Sequence, residues 1–216
     1  MHCNNWIFDM DGTLTDSMTV VWEGAPDALL ARYGHTPKSD LHKTLLAMGM
    51  ADGAAYLIRE YDLPLKMEDY NDVMWDVITK LYETVELKPG VRELLARLKA
   101  EGARMCICSN TWSGQCRTVL TRLGIDEYFD FYVEAQGALH KSRPDVFFQT
   151  LARLGGTDPD RCVVCEDSLY AARTAHDAGF HVIGIADDAS KSDEPALREV
   201  SDQFLTDWTE LDWDKV

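Results

Sequence analysis

The sequence has no stretch that approaches the roughly 18 consecutive apolar residues of a membrane-spanning helix. Its first residues also lack the basic and apolar segments of a secretory leader. Basic residues are scarce: 21 Lys and Arg stand against 37 Asp and Glu, a formal net charge of −16. Such a balance argues against sequence-independent binding to nucleic acid, because phosphate backbones are bound by cationic surfaces. We therefore expect a cytoplasmic protein that binds neither a membrane nor nucleic acid.

The six cysteines do not have the pattern of a disulfide framework or of a zinc site. Cys162 and Cys165 have the Cys-x-x-Cys spacing of redox and zinc pairs, but they lie in an apolar run and no second pair accompanies them. We therefore expect buried, reduced thiols.

The acidic residues are unevenly distributed. Residues 187–216 hold ten acidic and three basic residues, whereas residues 91–153 hold nine basic and seven acidic ones. A local positive site for a small anion is thus compatible with the negative total. We predict that the acidic end, residues 207–214, is a solvated surface helix that serves solubility.

Five short apolar runs have the composition of buried strands. They are residues 5–10, 104–108, 129–133, 161–165 and 181–185. From residue 90 onward, segments with helical periodicity separate these runs, at residues 91–98, 116–123, 144–154 and 169–178. Strands that alternate with such helices form parallel sheets covered on both faces. We predict an α/β fold with a Rossmann-like, doubly wound parallel sheet.

Residues 18–87 break this alternation. They contain about four helical patterns and no strand, with breaks near residues 34–37, at Gly49 and at residues 62–64. The simplest arrangement is an α/β core domain of residues 1–17 and 88–216, with a helical domain of residues 18–87 inserted after the first strand. Open α/β sheets bind ligands at the carboxyl ends of their strands, so the candidate site residues are expected there.

Two acidic pairs follow predicted strands at this edge. Asp9 and Asp11 end the first strand and, at positions i and i+2, can address one point. Glu166 and Asp167 follow the fourth strand. Carboxylates this close repel each other unless a cation lies between them or one stays protonated, and Mg²⁺ prefers such oxygen ligands. The pattern therefore indicates either a magnesium site or a carboxyl group whose raised pKa lets it act as a general acid.

A calcium loop is a poorer interpretation of the first pair, although such loops also begin with Asp-x-Asp. Leu14 and Val20 stand where a calcium loop needs a glycine and a bidentate glutamate.

Other polar residues are placed at the same edge. Ser109 and Asn110 follow the second strand, and Lys141 precedes the helix that begins near Pro144. Taken alone, Ser109 is better explained as a turn or cap residue and Lys141 as a solvated charge. Together, acidic groups, a hydroxyl and an ammonium suit a phosphoryl group, whose transfer is catalysed mainly by positioning and charge neutralisation.

Four segments of the chain, in order, resemble the four motifs of the phosphatase branch of the haloacid dehalogenase superfamily. They are residues 8–17, 108–110, 141–145 and 165–168. The helical insert stands where the phosphoglycolate phosphatase-like and β-phosphoglucomutase-like members keep a cap domain. Two positions depart from the family pattern, with Ser142 in place of proline and Ala171 in place of glycine.

The resemblance implies a role for each motif residue. Asp9 would be the nucleophile that forms an aspartyl-phosphate, and Asp11 the general acid and then the general base. The implied ligands of Mg²⁺ are Asp9, the backbone carbonyl of Asp11 and Asp167, with Glu166 as a further ligand, either directly or through a water. The groups implied to hold the phosphate oxygens are Ser109, Lys141 and the backbone around Gly12, Thr13 and Asn110.

The expected function is that of a Mg²⁺-dependent phosphatase acting on a small phosphorylated metabolite, of sugar phosphate or phosphoglycolate type. The alternative is a phosphomutase similar to β-phosphoglucomutase, which passes the phosphoryl group to a sugar hydroxyl. A non-catalytic phospho-acceptor or binding module is less favoured, because receiver domains share the acidic pocket but carry no helical insert.

Overall fold

The computed structural model describes residues 3–46, 48 and 50–216, and the predicted helix break at Gly49 lies outside them. The chain divides into two compact units. The larger comprises the residues up to Asp16 together with Glu86–Val216, and the smaller comprises Ser17–Val85.

The larger unit is built on a six-stranded sheet in which every pair of neighbouring strands is parallel. Its strands are β1 (Asn5–Phe8), β2 (Arg104–Ser109), β3 (Phe131–Glu134), β4 (Cys162–Glu166), β5 (His181–Ile185) and β6 (Gln203–Leu205). The order across the sheet is β3-β2-β1-β4-β5-β6, so the chain winds outward from β1 in both directions. The predicted doubly wound parallel fold is confirmed.

All regular secondary structure among the described residues of the smaller unit is helical. It consists of a π-helical turn (Met18–Glu23) and of α1 (Gly24–Arg32), α2 (Leu41–Leu46), α3 (Met50–Glu60) and α4 (Met67–Tyr82). The predicted breaks at residues 34–37 and 62–64 fall between these helices. The core of the unit packs Leu29, Leu57 and Val77 from three of the helices.

The described residues of the larger unit form five α-helices: α5 (Val91–Ala100), α6 (Ser113–Arg122), α7 (Asp145–Arg153), α8 (Leu169–Asp177) and α9 (Glu194–Glu199). Apolar side chains of α7 and α8, such as Phe147 and Ala172, pack with Val164 of β4 in one buried cluster. The four helices predicted in this region are present, and α6 begins three residues before its predicted start.

The bounds of β2, β4 and β5 agree with the prediction to within one residue, but β1 and β3 differ from it by two. β3 begins at Phe131 instead of residue 129. β1 ends at Phe8, two residues early, because the next residues form a tight turn on the Met10 carbonyl. β6 was not predicted, because its three residues, Gln203–Leu205, are too few to show the alternation of apolar and polar residues that indicates a strand.

The predicted surface helix over residues 207–214 is wrong. Two short 3₁₀ turns, Trp208–Glu210 and Trp213–Lys215, stand there. Asp207 accepts a hydrogen bond from the Thr209 backbone, and Asp212 accepts one from the Asp214 backbone. Such local bonds offer the backbone an alternative to a continuous helix. Within the described residues, no helix combines the length and the apolar character needed to cross a bilayer.

Candidate active site

Three neighbouring strands end at one edge of the sheet and position the acidic residues there. Phe8 of β1 pairs with Cys165 of β4, and the Asp9 backbone N–H continues the ladder to the Cys165 carbonyl at 3.0 Å. Asp9 therefore lies beside Glu166, the last residue of β4. Ser109 ends β2 on the other side of β1.

A tight turn folds the loop after β1 back on itself. The Met10 carbonyl accepts the backbone N–H groups of Leu14 and Thr15, at 2.9 and 3.0 Å. Gly12 has a φ of 78°, which residues with a Cβ rarely adopt. The turn brings the Thr13 hydroxyl to Asp167, where it donates to Oδ1 at 3.1 Å.

Lys141 joins two of the carboxylates. Its Nζ lies 2.5 Å from Asp9 Oδ1 and 2.6 Å from Glu166 Oε1, and its side chain is 3% exposed. Burial by itself would lower the pKa of Lys141, but the two carboxylates raise that pKa well above the ordinary value. Lys141 is therefore a fixed positive charge at this edge of the sheet.

The other two carboxyl groups have less compensation. Burial raises the pKa of Glu166 to about 7, although Lys141 acts in the opposite direction. Burial also raises the pKa of Asp167 well above its ordinary value, and the charges of Asp9 and Glu166 add to this effect. The site thus holds three carboxyl groups, of which Lys141 contacts only Asp9 and Glu166.

The donor set fits a divalent cation. Carboxylate oxygens of Asp9, Glu166 and Asp167 lie within 4.8 Å of one another. Asp167 Oδ2 is buried and has no hydrogen-bond partner among the described residues. Buried polar atoms are normally satisfied, so this oxygen is available to a ligand. Hard oxygen donors of this kind are those that Mg²⁺ prefers.

Asp11 lies outside this group of three carboxylates. Its Oδ2 accepts a hydrogen bond of 2.7 Å from the hydroxyl of Thr111, and both residues are buried. The contact expected between Asp11 and a metal was through its backbone carbonyl, and that contact stays a prediction.

The structure also places the other predicted residues at this edge. Ser109 is buried, and its Oγ accepts the backbone N–H of Thr111 at 3.1 Å. Asn110 is exposed and donates to the hydroxyl of Tyr170 at 2.8 Å. Arg143, near Lys141 in sequence, forms an exposed ion pair with Asp145 and adds no charge to the buried cluster.

Three residues that contact the site escaped the sequence analysis. Thr111 binds Asp11, and Tyr170 binds Asn110 while stacking on His140 at 5.4 Å between ring centroids. Trp208 donates from Nε1 to the Thr13 carbonyl at 2.9 Å. Of the three, only Thr111 could have been found from the sequence, because it directly follows Ser109 and Asn110. Tyr170 and Trp208 come from distant segments of the chain.

Comparison with known proteins agrees with this geometry. The profile described as haloacid dehalogenase-like hydrolase matches residues 6–185, which include all four motif segments. The chain belongs to this family. The expected family, fold and enzyme class are thereby confirmed.

Relatives of this haloacid dehalogenase-like hydrolase include named phosphatases. Hexitol phosphatase B from Escherichia coli K12 is 30% identical over 211 residues, which are 95% of this chain and 94% of the relative. A phosphorylated carbohydrates phosphatase from Thermotoga maritima is 28% identical over 179 residues, 82% of each chain.

A solved structure from Thermotoga maritima, provisionally named a β-phosphoglucomutase, superposes with a TM-score of 0.80. It is 26% identical, and the match covers 95% of this chain and 94% of that one. The family thus includes similar proteins with both phosphatase and phosphomutase names.

Proposed function

We propose that this haloacid dehalogenase-like hydrolase is a Mg²⁺-dependent phosphatase for a small phosphomonoester of sugar phosphate or phosphoglycolate type. The observation that carries the proposal is the buried cluster of Asp9, Glu166 and Asp167. Lys141 contacts the first two of these carboxylates, and Asp11 lies two residues from Asp9. Such a cluster is suited to a phosphoryl group and a divalent cation.

The proposed reaction has two displacements at phosphorus. A carboxylate oxygen of Asp9 forms a bond to phosphorus while the bond to the leaving oxygen breaks, and Asp11 gives that oxygen its proton. Water then attacks the aspartyl-phosphate and gives a proton to Asp11. Asp9 is released as a carboxylate together with inorganic phosphate, so both residues return to their starting states.

The remaining residues bind and orient the substrate in this proposal. Lys141 places a positive charge beside Asp9, and Ser109 with the backbone around Gly12, Thr13 and Asn110 holds the phosphate oxygens. Asp9, Glu166, Asp167 and the backbone carbonyl of Asp11 would hold Mg²⁺. When bound, the ion supplies positive charge that offsets the negative charge of the phosphoryl group.

The names of the relatives support a phosphorylated carbohydrate as substrate, since hexitol phosphatase B is similar along almost the whole chain. We also propose that the helical unit Ser17–Val85 is the cap that selects the substrate, as the place of the insert in the sequence implies. All six cysteines are free and buried, which supports a reducing compartment such as the cytoplasm.

A phosphomutase of β-phosphoglucomutase type is the second candidate, favoured by the similarity to the Thermotoga maritima structure. In that reaction a sugar hydroxyl, in place of water, accepts the phosphoryl group from Asp9. The two candidates differ in whether inorganic phosphate is released.

The test is a phosphate-release screen over sugar phosphates and phosphoglycolate, in MgCl₂ and in excess chelator. We expect release only with Mg²⁺, and none from Asp9→Asn, a variant that circular dichroism should show to be folded. Full activity of that variant would refute the proposed nucleophile. Phosphorus NMR with a sugar bisphosphate activator separates the two candidates, because isomerisation without phosphate release would identify a mutase.

A further inference from the structure

Thr111 makes a direct contact with the side chain that the proposed function uses for proton transfer. Its Oγ1 lies 2.7 Å from Oδ2 of Asp11, and the two residues are 2% and 6% exposed. The threonine hydroxyl donates this hydrogen bond, and Oδ2 accepts it whether or not the other oxygen of Asp11 carries a proton. Loss of one partner of a buried hydrogen bond leaves the other polar atom unsatisfied, which is costly.

Thr111 is itself held on two further sides. Its backbone N–H donates to Ser109 Oγ at 3.1 Å, and its carbonyl accepts from Cys116 Sγ at 3.5 Å. Cys116 belongs to α6, which begins at Ser113 immediately after this segment. The hydroxyl is therefore presented from a fixed backbone between β2 and α6.

Asp11 lies in the loop after β1, and the rotations about two side-chain bonds set the direction of its carboxyl group. A general acid contributes only if its proton-bearing oxygen stays within hydrogen-bond reach of the leaving oxygen. A fixed donor on one carboxylate oxygen restricts both rotations.

We propose that Thr111 is a positioning residue that holds the carboxyl group of Asp11 for proton transfer to the leaving oxygen. This inference rests on the proposed phosphatase function. It assigns a task to a residue outside the acidic and lysine groups of the cluster.

A positioning role for Thr111 predicts that the loss of kcat/KM in a Thr111 variant depends on the leaving group. A general structural role predicts equal losses for all leaving groups. An alkyl leaving group is strongly basic and needs the proton from Asp11, whereas p-nitrophenolate leaves without it. The ratio kcat/KM covers only the steps up to loss of the leaving group, so hydrolysis of the aspartyl-phosphate does not affect it.

The experiment compares kcat/KM for p-nitrophenyl phosphate and for the best alkyl phosphate of the screen. Because general acid catalysis is worth about 10²- to 10⁴-fold, we expect Thr111→Val to lose about tenfold or more on the alkyl phosphate and less than about threefold on p-nitrophenyl phosphate. Thr111→Ser, which keeps the hydroxyl, should restore the wild-type ratio between the substrates.

Thr150→Val is the matched control. Thr150 is equally buried, at 2% exposed, and its hydroxyl donates to the Val146 carbonyl within α7 at 2.6 Å. This control should leave the ratio between the substrates unchanged. Thr111→Ala removes the same hydroxyl with less steric demand and replaces the valine variant if that variant unfolds.

The outcomes separate this inference from the proposed function. Equal losses on both substrates, or no loss on either, in an active enzyme would overturn the role of Thr111 alone. A wild-type protein that releases phosphate from no substrate would overturn the proposed function and this inference with it.

Discussion

Lys141 is the residue on which the charge balance of the site depends. It contacts Asp9 and Glu166 at 2.5 and 2.6 Å, and neither its own charge nor theirs reaches bulk solvent. Removing one partner of a buried ion pair leaves the other charge without compensation, which costs far more than the pair contributes. The stability of the metal-free protein is therefore expected to depend strongly on Lys141.

We expect Lys141→Met to destabilise the metal-free protein by about 3–5 kcal/mol, because two buried carboxylates lose their counter-charge. The loss of stability should be smaller in MgCl₂, because a bound cation would supply part of the missing positive charge. Urea unfolding in chelator and in MgCl₂ measures both values. Lys66→Met, which removes only the exposed pair with Glu68, is the control and should change little. Equal losses in both buffers would contradict a cation next to Asp9 and Glu166.

At the scale of elements, the positions of the carboxylates were predictable and those of their partners were not. Apolar runs place the ends of β1 and β4 to within two residues, and parallel strands bring those ends to one edge. Asp9 and Glu166 were therefore expected to lie close together. Thr111 is 100 residues from Asp11 and Trp208 is 195 from Thr13. Such contacts depend on the conformation of loops, and the periodicity of strands and helices does not determine loop conformation.

The 3₁₀ turn Trp208–Glu210 supports the loop that carries the acidic pair. Trp208 packs edge-on against Phe8 and donates to the Thr13 carbonyl, while the Thr13 hydroxyl binds Asp167. Gly90, with a φ of 83°, allows the backbone of Trp208 and Thr209 to pack against it, because a Cβ at residue 90 would lie 2.8 Å from the Thr209 nitrogen. The acidic end of the chain therefore does more than add solvated charge.

We expect Trp208→Phe to weaken Mg²⁺ binding and kcat/KM by about fivefold, because one buried hydrogen bond to the loop, worth about 1 kcal/mol, is lost while an aromatic ring remains. Isothermal titration with MgCl₂ in the absence of substrate provides a readout that does not depend on turnover. Trp213→Phe is the matched control, since Trp213 belongs to the same terminal segment but stacks under Arg97 at 3.6 Å. The same loss in both variants would mean that only the packing of the segment matters.

At the scale of the whole molecule, the cysteines are part of the packed interior. All six thiols are buried and unpaired. Burial raises the pKa of Cys108 to about 12, and it raises the pKa of Cys106 and Cys165 well above the ordinary value. The thiolate is the reactive form, so a raised pKa leaves little of it at neutral pH.

We therefore expect the folded protein to react with a thiol reagent such as dithionitrobenzoate at pH 8 only as fast as it unfolds. In guanidinium chloride all six thiols should react at once. The measurement is the absorbance time course, repeated at several denaturant concentrations. Rapid reaction of one or more thiols in the native protein would show that a cysteine is more accessible than the structure indicates.

The net charge of −16 and the acidic site make stability depend on cations in two ways. Any salt screens repulsion between surface carboxylates, but only a cation bound at Asp9, Glu166 and Asp167 removes the cost of burying them. Binding to the native state alone stabilises it by about 2.7 kcal/mol when the ligand is at 100 times its Kd. We expect MgCl₂ to raise the melting temperature more than NaCl at equal ionic strength.

Asp167→Asn separates the specific effect from the general one. A buried carboxyl group whose pKa is raised destabilises the native state at any pH above the pKa of the free group, because the unfolded chain is ionised there at no cost. Replacing Asp167 with a neutral isostere should therefore raise the melting temperature in chelator. The same variant should lose the extra stabilisation by MgCl₂ while keeping the response to NaCl. If the variant is less stable than the wild type in chelator, the carboxylate of Asp167 stabilises the fold. If the variant keeps the extra stabilisation by MgCl₂, the cation binds at another site.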